Sequence, residues 1–564
     1  MKNYTTVTLT ALTILLTTFM GGPILAQQPK NNKADSTIYY TIKPIPANDR
    51  TDLEISVHFK VQSDTAIIQN LPQDYYGTPD LYKYVTSFEG LNGCKIKPAD
   101  KPNQRLVWPN ARKEISIKYI ISYDPKVMDD MAFGPNVSAS HFHVAGCQWL
   151  LPIGNISTKR NYQIEMIRPP KGWHFYSSLT SSPAKSEIYT SYRNLISSAI
   201  GGGGQAYTQL SIKRKPVHVF ATGNYNISKD EIFSAVNKIV SLQRNWFNDF
   251  DFPFYNITIL PRTGIIAGTC IPNLFVCFIK EDITKDELNV LLAHEMFHTW
   301  LPNKISIELP KAESNIRYEW FYEGFSDYFA RKILLDAGLM TLEKFADLVN
   351  RDMINIADNP HRAATYADLI SAEKNGKYGT TYKKLSYYRG ALMALNWETT
   401  IRNSGNGKEL KNFIRDLYNL SSKNNGNMAE QSFYDIAMEY GIDAKNDFEQ
   451  YINQGRPILP LPGALGKTFE LKEMAVPSFD LGFSLEQTFK TRKINGVIEN
   501  GNAFSAGLRN EMELVNIQNA NRFGNGWSPD KPISVTVKTE GTEKVFEYFP
   551  HGKAMAVQLY TAVK

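Results

Sequence analysis

The chain has 564 residues and 43% hydrophobic composition, enough for several packed cores, and its length suggests about three or four domains of ordinary size. A formal net charge of +6, with no concentrated basic tract, gives no sign of a nucleic-acid partner. The four cysteines, Cys94, Cys147, Cys270 and Cys277, have no metal-ligand spacing among themselves.

At the N-terminus, Lys2 precedes a Thr-diluted apolar run over residues 9–20, followed by Gly21, Gly22, Pro23 and Ala26. This is the form of a secretory signal cleaved near Ala26, and the apolar run is too short and too Thr-rich for a membrane span. The mature protein is therefore expected to be periplasmic or secreted, with no stable membrane span after signal cleavage. In that setting the even cysteine count permits the local pairings Cys94 with Cys147 and Cys270 with Cys277, against the alternative of four buried free thiols.

Residues 27–216 carry short alternating runs such as L-E-I-S-V-H-F-K and I-S-I-K-Y-I-I-S-Y, broken by Pro, Asn, Asp and Gly. Period-two runs of that length predict antiparallel strands in a β-sandwich-like N-terminal domain. The Gly201 to Gly204 run reads as a flexible loop or turn. His141 and His143 alternate on one strand face beside Trp149, as ordinary surface or core histidines do; a second metal site is the sharper alternative.

Residues 217–456 change to long amphipathic helices, expected over 229–250, 341–357, 387–401 and 407–420, with strands near 257–260 and 274–279. Within them, Thr284 and Glu287 have the form of a capping box, and Pro302 follows the helix they start. Inside that helix His294 and His298 stand four residues apart, on one face, where both imidazoles can grip one Zn²⁺. Glu295 lies beside the open coordination position, where a carboxylate can take a proton from the attacking water. A third ligand is still needed. The helical stretch 317–335, with Gly338 at its expected stop, puts Glu319, Glu323 and Asp327 on one stripe, and spacing alone does not choose among them.

H-E-M-F-H-T-W followed by W-F-Y-E-G-F-S resembles the glutamate-ligand zinc peptidases, and most closely the glycyl aminopeptidase family. That resemblance implies a thermolysin-like, mostly α catalytic domain over 217–456, with Glu323 as the third zinc ligand. It also implies that S-Y-Y-R-G-A presents a tyrosine hydroxyl to the reacting carbonyl from the start of a helix; Tyr387 is selected, with Tyr388 its neighbour. A phenol can donate to a developing oxyanion while staying neutral near pH 7. One departure stands out. Where the family carries a Glu that binds the substrate's free amine, residues 267–273 read A-G-T-C-I-P-N, with no acid. This points to endopeptidase rather than aminopeptidase action, or to another acid such as Glu319 taking the amine.

Residues 457–468, within a Pro- and Gly-rich stretch beginning near 453, read as a semi-rigid linker. Residues 469–564 resemble a PDZ domain, a β domain with short helices: Leu481, Gly482 and Phe483 match its carboxylate-binding loop, and Ala503, Ala506, Gly507 and Leu508 its helix and turn, while Asn510 and Glu511 depart from the usual Gly-Asp. The resemblance implies a groove for the C-terminus of a polypeptide. The sequence thus predicts an exported, multidomain zinc metallopeptidase acting on peptides or proteins, with His294, His298 and Glu323 on the metal and Glu295 and Tyr387 in catalysis. The rival reading is a non-catalytic peptide-binding protein that uses its PDZ groove.

Overall fold

The computed structural model describes residues 37–72, 80–122, 136–182, 184–262, 266–309, 313–518, 531–539 and 541–563. The signal segment expected at 1–26 lies outside them. Among the described residues no helix is long and apolar enough to cross a membrane. The chain divides into two compact units, one ending at Lys304 and the other beginning at Ile305, so the boundary falls between the H-E-x-x-H helix and the helix that carries Glu323.

In the first unit, a six-stranded sheet runs in the order Lys185–Ser191, Lys159–Met166, Ile38–Pro46, Thr51–Lys60, Glu114–Ile121, Val85–Gly90. Alternation does what it predicts: Thr51, Leu53, Ile55, Val57 and Phe59 point into the core while their neighbours do not. The sheet is not purely antiparallel, however, because Ile38–Pro46 pairs in parallel with Lys159–Met166. A parallel neighbour needs a long crossover, here the whole stretch between the two strands, and period two carries no sign of strand direction. Tyr40 and Trp149 meet edge to face in the core, with ring centroids 5.5 Å apart.

Gly201, Gly202 and Gly203 are not in a loop. They lie in strand Ala199–Gly203, between His174–Ser177 and His141–Ala145. A Cβ at Gly201 would fall 2.2 Å from the Tyr176 ring, and one at Gly202 would fall 2.2 Å from the Phe175 ring, so the glycines make room for aromatic side chains. His141 and His143 are satisfied core histidines: His141 contacts Asn136 Oδ1 at 3.0 Å and Ser138 Oγ at 2.6 Å, and His143 contacts Tyr176 Oη at 3.0 Å. Burial lowers His141 to about 4 and His143 to about 3. All four cysteines are buried free thiols, the second of the two readings, and neither permitted pairing forms. Cys270 faces Phe275 rather than Cys277 across its hairpin, and Cys94 Sγ instead receives the Ser116 N–H at 3.3 Å.

This unit also holds a five-stranded sheet, in the order Ala206–Ile212, Lys215–Ala221, Tyr255–Pro261, Leu274–Ile279, Ala267–Ile271. The division expected at residue 216 falls inside its second strand. The three middle strands are parallel and the outer two antiparallel. Six of the seven residues of Tyr255–Pro261 are buried, as a strand covered on both faces must be. Helix Lys229–Phe247 makes one crossover, opened by a Ser228 and Glu231 capping box and closed at Asn248 (φ 51°), three residues short of the expected end.

In the second unit, helices Leu342–Ala357, Thr380–Asn403 and Leu410–Ser422 follow the expected pattern with shifted ends. The Pro- and Gly-rich stretch is strapped to Thr380–Asn403: Asn396 Nδ2 donates to Leu459 O at 2.8 Å, and Arg402 donates to Gly463 O and Ala464 O at 3.0 Å. The C-terminal region is rich in strands. Phe469–Phe479 pairs with His551–Ala562, and Glu513–Gln518, Ile533–Thr539 and Thr542–Tyr548 form a sheet over a core that includes Leu481, Phe483, Ile494 and Leu508. The loop at Leu481 to Phe483 departs from the expected capture site. Gly482 N–H donates to Asp480 Oδ1 at 2.8 Å, Ser484 N–H donates to Asn495 O at 2.8 Å, and the next element is helix Leu485–Thr491 instead of a strand that a peptide could extend.

Candidate metal centre

Helix Lys285–Phe297 starts as the sequence predicts. Thr284 N–H donates to Glu287 Oε2 at 2.8 Å, and Glu287 N–H donates to Thr284 Oγ1 at 3.3 Å. From Leu288 on, the helix is buried nearly all round, so it is a core element and cannot shift without disturbing its neighbours. The segment that follows it is tied down by a buried carboxylate. Asp249 accepts from Arg244 at 3.0 Å, Trp300 Nε1 at 2.9 Å and Lys304 Nζ at 2.6 Å. Burial would raise the Asp249 carboxyl, but Lys304 and Arg244 hold it below the usual range. The Arg244 guanidinium lies 4.1 Å from the Phe252 ring centre, which accommodates a charge that is only 1% exposed.

The two imidazoles of this helix converge, with His294 Nε2 and His298 Nε2 3.0 Å apart. His298 Nδ1 lies 2.8 Å from Leu301 O, which can only accept, so the proton sits on Nδ1 and the Nε2 lone pair is turned toward His294. Glu295 is fully buried. Strand Ala267–Ile271 passes so close beneath it that a Cβ on Gly268 would lie 2.2 Å from the Glu295 carboxyl carbon. Burial, and then the charge of Glu295, pushes the Cys270 thiol up to about 12.

The carboxylate stripe resolves through a local distortion. Ile316–Glu319 and Phe325–Asp336 are α-helical, but Trp320–Gly324 between them is a π turn, and Glu323 sits in it. Gly324 and Gly390 let this turn touch helix Thr380–Asn403 backbone to backbone: a Cβ on Gly390 would lie 1.8 Å from Trp320 O. Asp327 pairs with Arg331 at 3.7 Å, and Glu319 accepts the Tyr378 hydroxyl. Burial, and after it the charge of Glu323, raises Glu319 to about 7. Among the described residues, the group able to hold a metal ion is His294, His298 and Glu323, all buried, with donor atoms within 4.8 Å of one another. Two imidazole nitrogens and one carboxylate are a zinc donor set of the kind that leaves a position for water or substrate.

Tyr387 lies about two turns into Thr380–Asn403 rather than at its start. Burial and the charge of Glu323 raise its phenol well above the ordinary value, and it shares a hydrogen bond with Glu323. The charges acting on the Tyr388 phenol are those of Asp352, Asp327, Arg331 and Arg351, whereas that of Glu323 acts on Tyr387. The sequence reading missed Gly268, whose lone glycine in a strand is a signal for close backbone approach. It also missed Asp249 and the Leu301 carbonyl, which no motif marks.

Residues 287–394 match the profile of the M61 glycyl aminopeptidases. The chain is a zinc metallopeptidase. This metallopeptidase has the fold of an aminopeptidase N family protein from Idiomarina loihiensis, with a TM-score of 0.69 at 14% identity over 93% of this chain and 98% of that one. An M1 zinc metallopeptidase from Deinococcus radiodurans aligns at a TM-score of 0.40, with 11% identity over 75% of this chain and 95% of that one. No curated protein sequence matches the chain.

Proposed function

We propose that the metallopeptidase is exported and hydrolyses peptide bonds without requiring a free α-amino group. The observation that carries the chemistry is the convergence of the His294 and His298 imidazoles with the buried Glu323 carboxylate, on a motif that also carries Glu295. His294, His298 and Glu323 would hold a zinc ion, which when bound would supply Lewis acidity. Glu295 accepts the proton of that water and delivers it to the leaving amine. Tyr387 stays protonated through burial and the charge of Glu323, and donates its O–H to the carbonyl oxygen as negative charge develops. Strand Ala267–Ile271 ends its sheet, and its outer edge can align an extended peptide by main-chain hydrogen bonds.

Endopeptidase action is supported by what that strand lacks. Residues 267–273 contain no acid, and Glu319, the other acid considered for the amine, is engaged by Tyr378 and has Lys383 and Ser386 as further partners. Export is supported by the residues before Ala26. Capture of a polypeptide C-terminus by the PDZ-like region is left out of the proposal, because the Gly482 N–H in its loop and the Ser484 N–H just after it have partners within the protein itself.

Changing Glu295→Gln should keep zinc and lower kcat by about 10² to 10⁴, the usual contribution of a general base; a zinc-replete variant with wild-type kcat would remove Glu295 from the mechanism. N-acetylated and free-amine peptides of one sequence should be cleaved at comparable kcat/KM. A strong preference for the free amine would overturn the endopeptidase assignment.

A further inference from the structure

Lys384 is a buried lysine that the mechanism above does not use. It is 8% exposed and lies three residues before Tyr387 on the same helix, so the two side chains share a face. Its ammonium is 4.0 Å from the centre of the Tyr387 ring. The surrounding charges come from three helices: Asp327, Glu323 and Arg331 from the segment before residue 337, Asp352 from Leu342–Ala357, and Lys384 itself from Thr380–Asn403. Arg331 pairs with Asp327 at 3.7 Å and donates to Asp352 Oδ1 at 3.3 Å, so one guanidinium serves both aspartates. An ammonium taken out of water needs compensation, and the face of an aromatic ring provides it.

We propose that Lys384 is a positioning residue for the hydrolytic reaction, holding the Tyr387 ring in place and, through its positive field on the π face, strengthening the phenol as a donor to the reacting carbonyl. This rests on the donor role given to Tyr387 above. Attraction between ring and ammonium resists rotation of the side chain. Positive charge over the ring also draws electron density away from the phenol oxygen, which makes its O–H a better donor as charge accumulates on the carbonyl. A lysine that merely balanced Asp327 and Asp352 would do neither.

The test is a double-mutant cycle of Lys384→Met and Tyr387→Phe, with zinc content checked in every variant. Lys384→Met should lower kcat by about 10- to 30-fold with little change in KM, and should add nothing in the Tyr387→Phe background. Equal losses in both backgrounds, or no loss in either, would overturn the proposal. Lys384→Arg retains the cation and should keep most of the activity; if the Met and Arg variants lose activity equally, charge over the ring is not the cause. A readout independent of turnover is the ¹⁹F resonance of fluorotyrosine placed at position 387 in zinc-free protein, which should shift and broaden in Lys384→Met and would stay fixed if the contact were incidental. Absence of zinc-dependent cleavage by the wild type would sink the peptidase mechanism itself, whereas wild-type cleavage with additive losses would sink only the role of Lys384.

Discussion

Gly390→Ala would perturb the backbone contact that positions the Glu323 turn. The added Cβ would lie 1.8 Å from Trp320 O and 2.9 Å from Gly324 Cα, both backbone atoms that cannot rotate away. Reaching an ordinary contact of 3.4 Å requires the π turn and helix Thr380–Asn403 to part by about 1.6 Å, the difference between 3.4 and 1.8 Å. Overpacking against backbone belongs at the upper end of the usual cost, about 3 kcal/mol, offset by the roughly 1 kcal/mol that alanine gains over glycine in a helix. The net loss of about 2 kcal/mol corresponds to a fall of about 4–8 °C in the melting temperature of a unit this size. Zinc should respond more sharply than stability, because ligand geometry tolerates displacements of only about 0.2 Å. Calorimetry together with zinc retention against graded chelator measures both. Gly379→Ala, at the N-cap of the same helix with its nearest atom 4.0 Å away, serves as the control. A Gly390→Ala protein with wild-type melting temperature and zinc retention would refute the idea that this crossing sets the ligand.

Gly268→Ala should have the opposite profile: zinc retained, but kcat reduced by about 10² or more, because the new Cβ displaces the Glu295 carboxylate and leaves both imidazoles alone. Zinc loss equal to the activity loss would count against that assignment. Acid stability should respond to His141 and His143, which titrate near 6.5 when unfolded but near 4 and 3 when folded. The unfolded chain then takes up the protons first, so stability is complete above about pH 6.5 and is lost as pH falls toward 4. At pH 5 the 1.5-unit gap costs on the order of 2 kcal/mol per histidine. His143→Gln should flatten the dependence of unfolding free energy on pH between 6.5 and 5 by nearly one proton; an unchanged slope would refute it.

The metal centre was legible because its chemistry depends on a helix that follows its own period. His294, Glu295 and His298 need only a 3.6-residue repeat, and the Thr284 and Glu287 cap marks where that repeat begins. The third ligand was legible only by resemblance. Glu319, Glu323 and Asp327 are equivalent on a regular helix, and what separates them is the π turn at Trp320–Gly324 together with the contacts of Tyr378 and Arg331. Tyr387 was singled out by its spacing from Gly390, but its depth within the helix was not legible, since the residues before it carry no strong cap and Gly379 serves as N-cap. Strand direction was hidden by alternation that is the same for parallel and antiparallel neighbours. The run at Gly201 misled for a different reason: glycines that admit Tyr176 and Phe175 have the same composition as glycines that bend a loop.

The four buried thiols make the protein a reporter of its own opening. Each is shielded from bulk reagents in the native state, and Cys147, Cys270 and Cys277 are also kept protonated by burial, so an alkylating agent reads opening of the structure at their positions. Cys94 reports from the turn before strand Lys95–Pro98 and Cys147 from the short helix Gly146–Trp149, Cys270 and Cys277 from the hairpin beneath Glu295. Mass mapping of the label over time therefore gives four built-in clocks, and comparing zinc-loaded with zinc-stripped protein times how far the ion's grip extends into the sheet behind it.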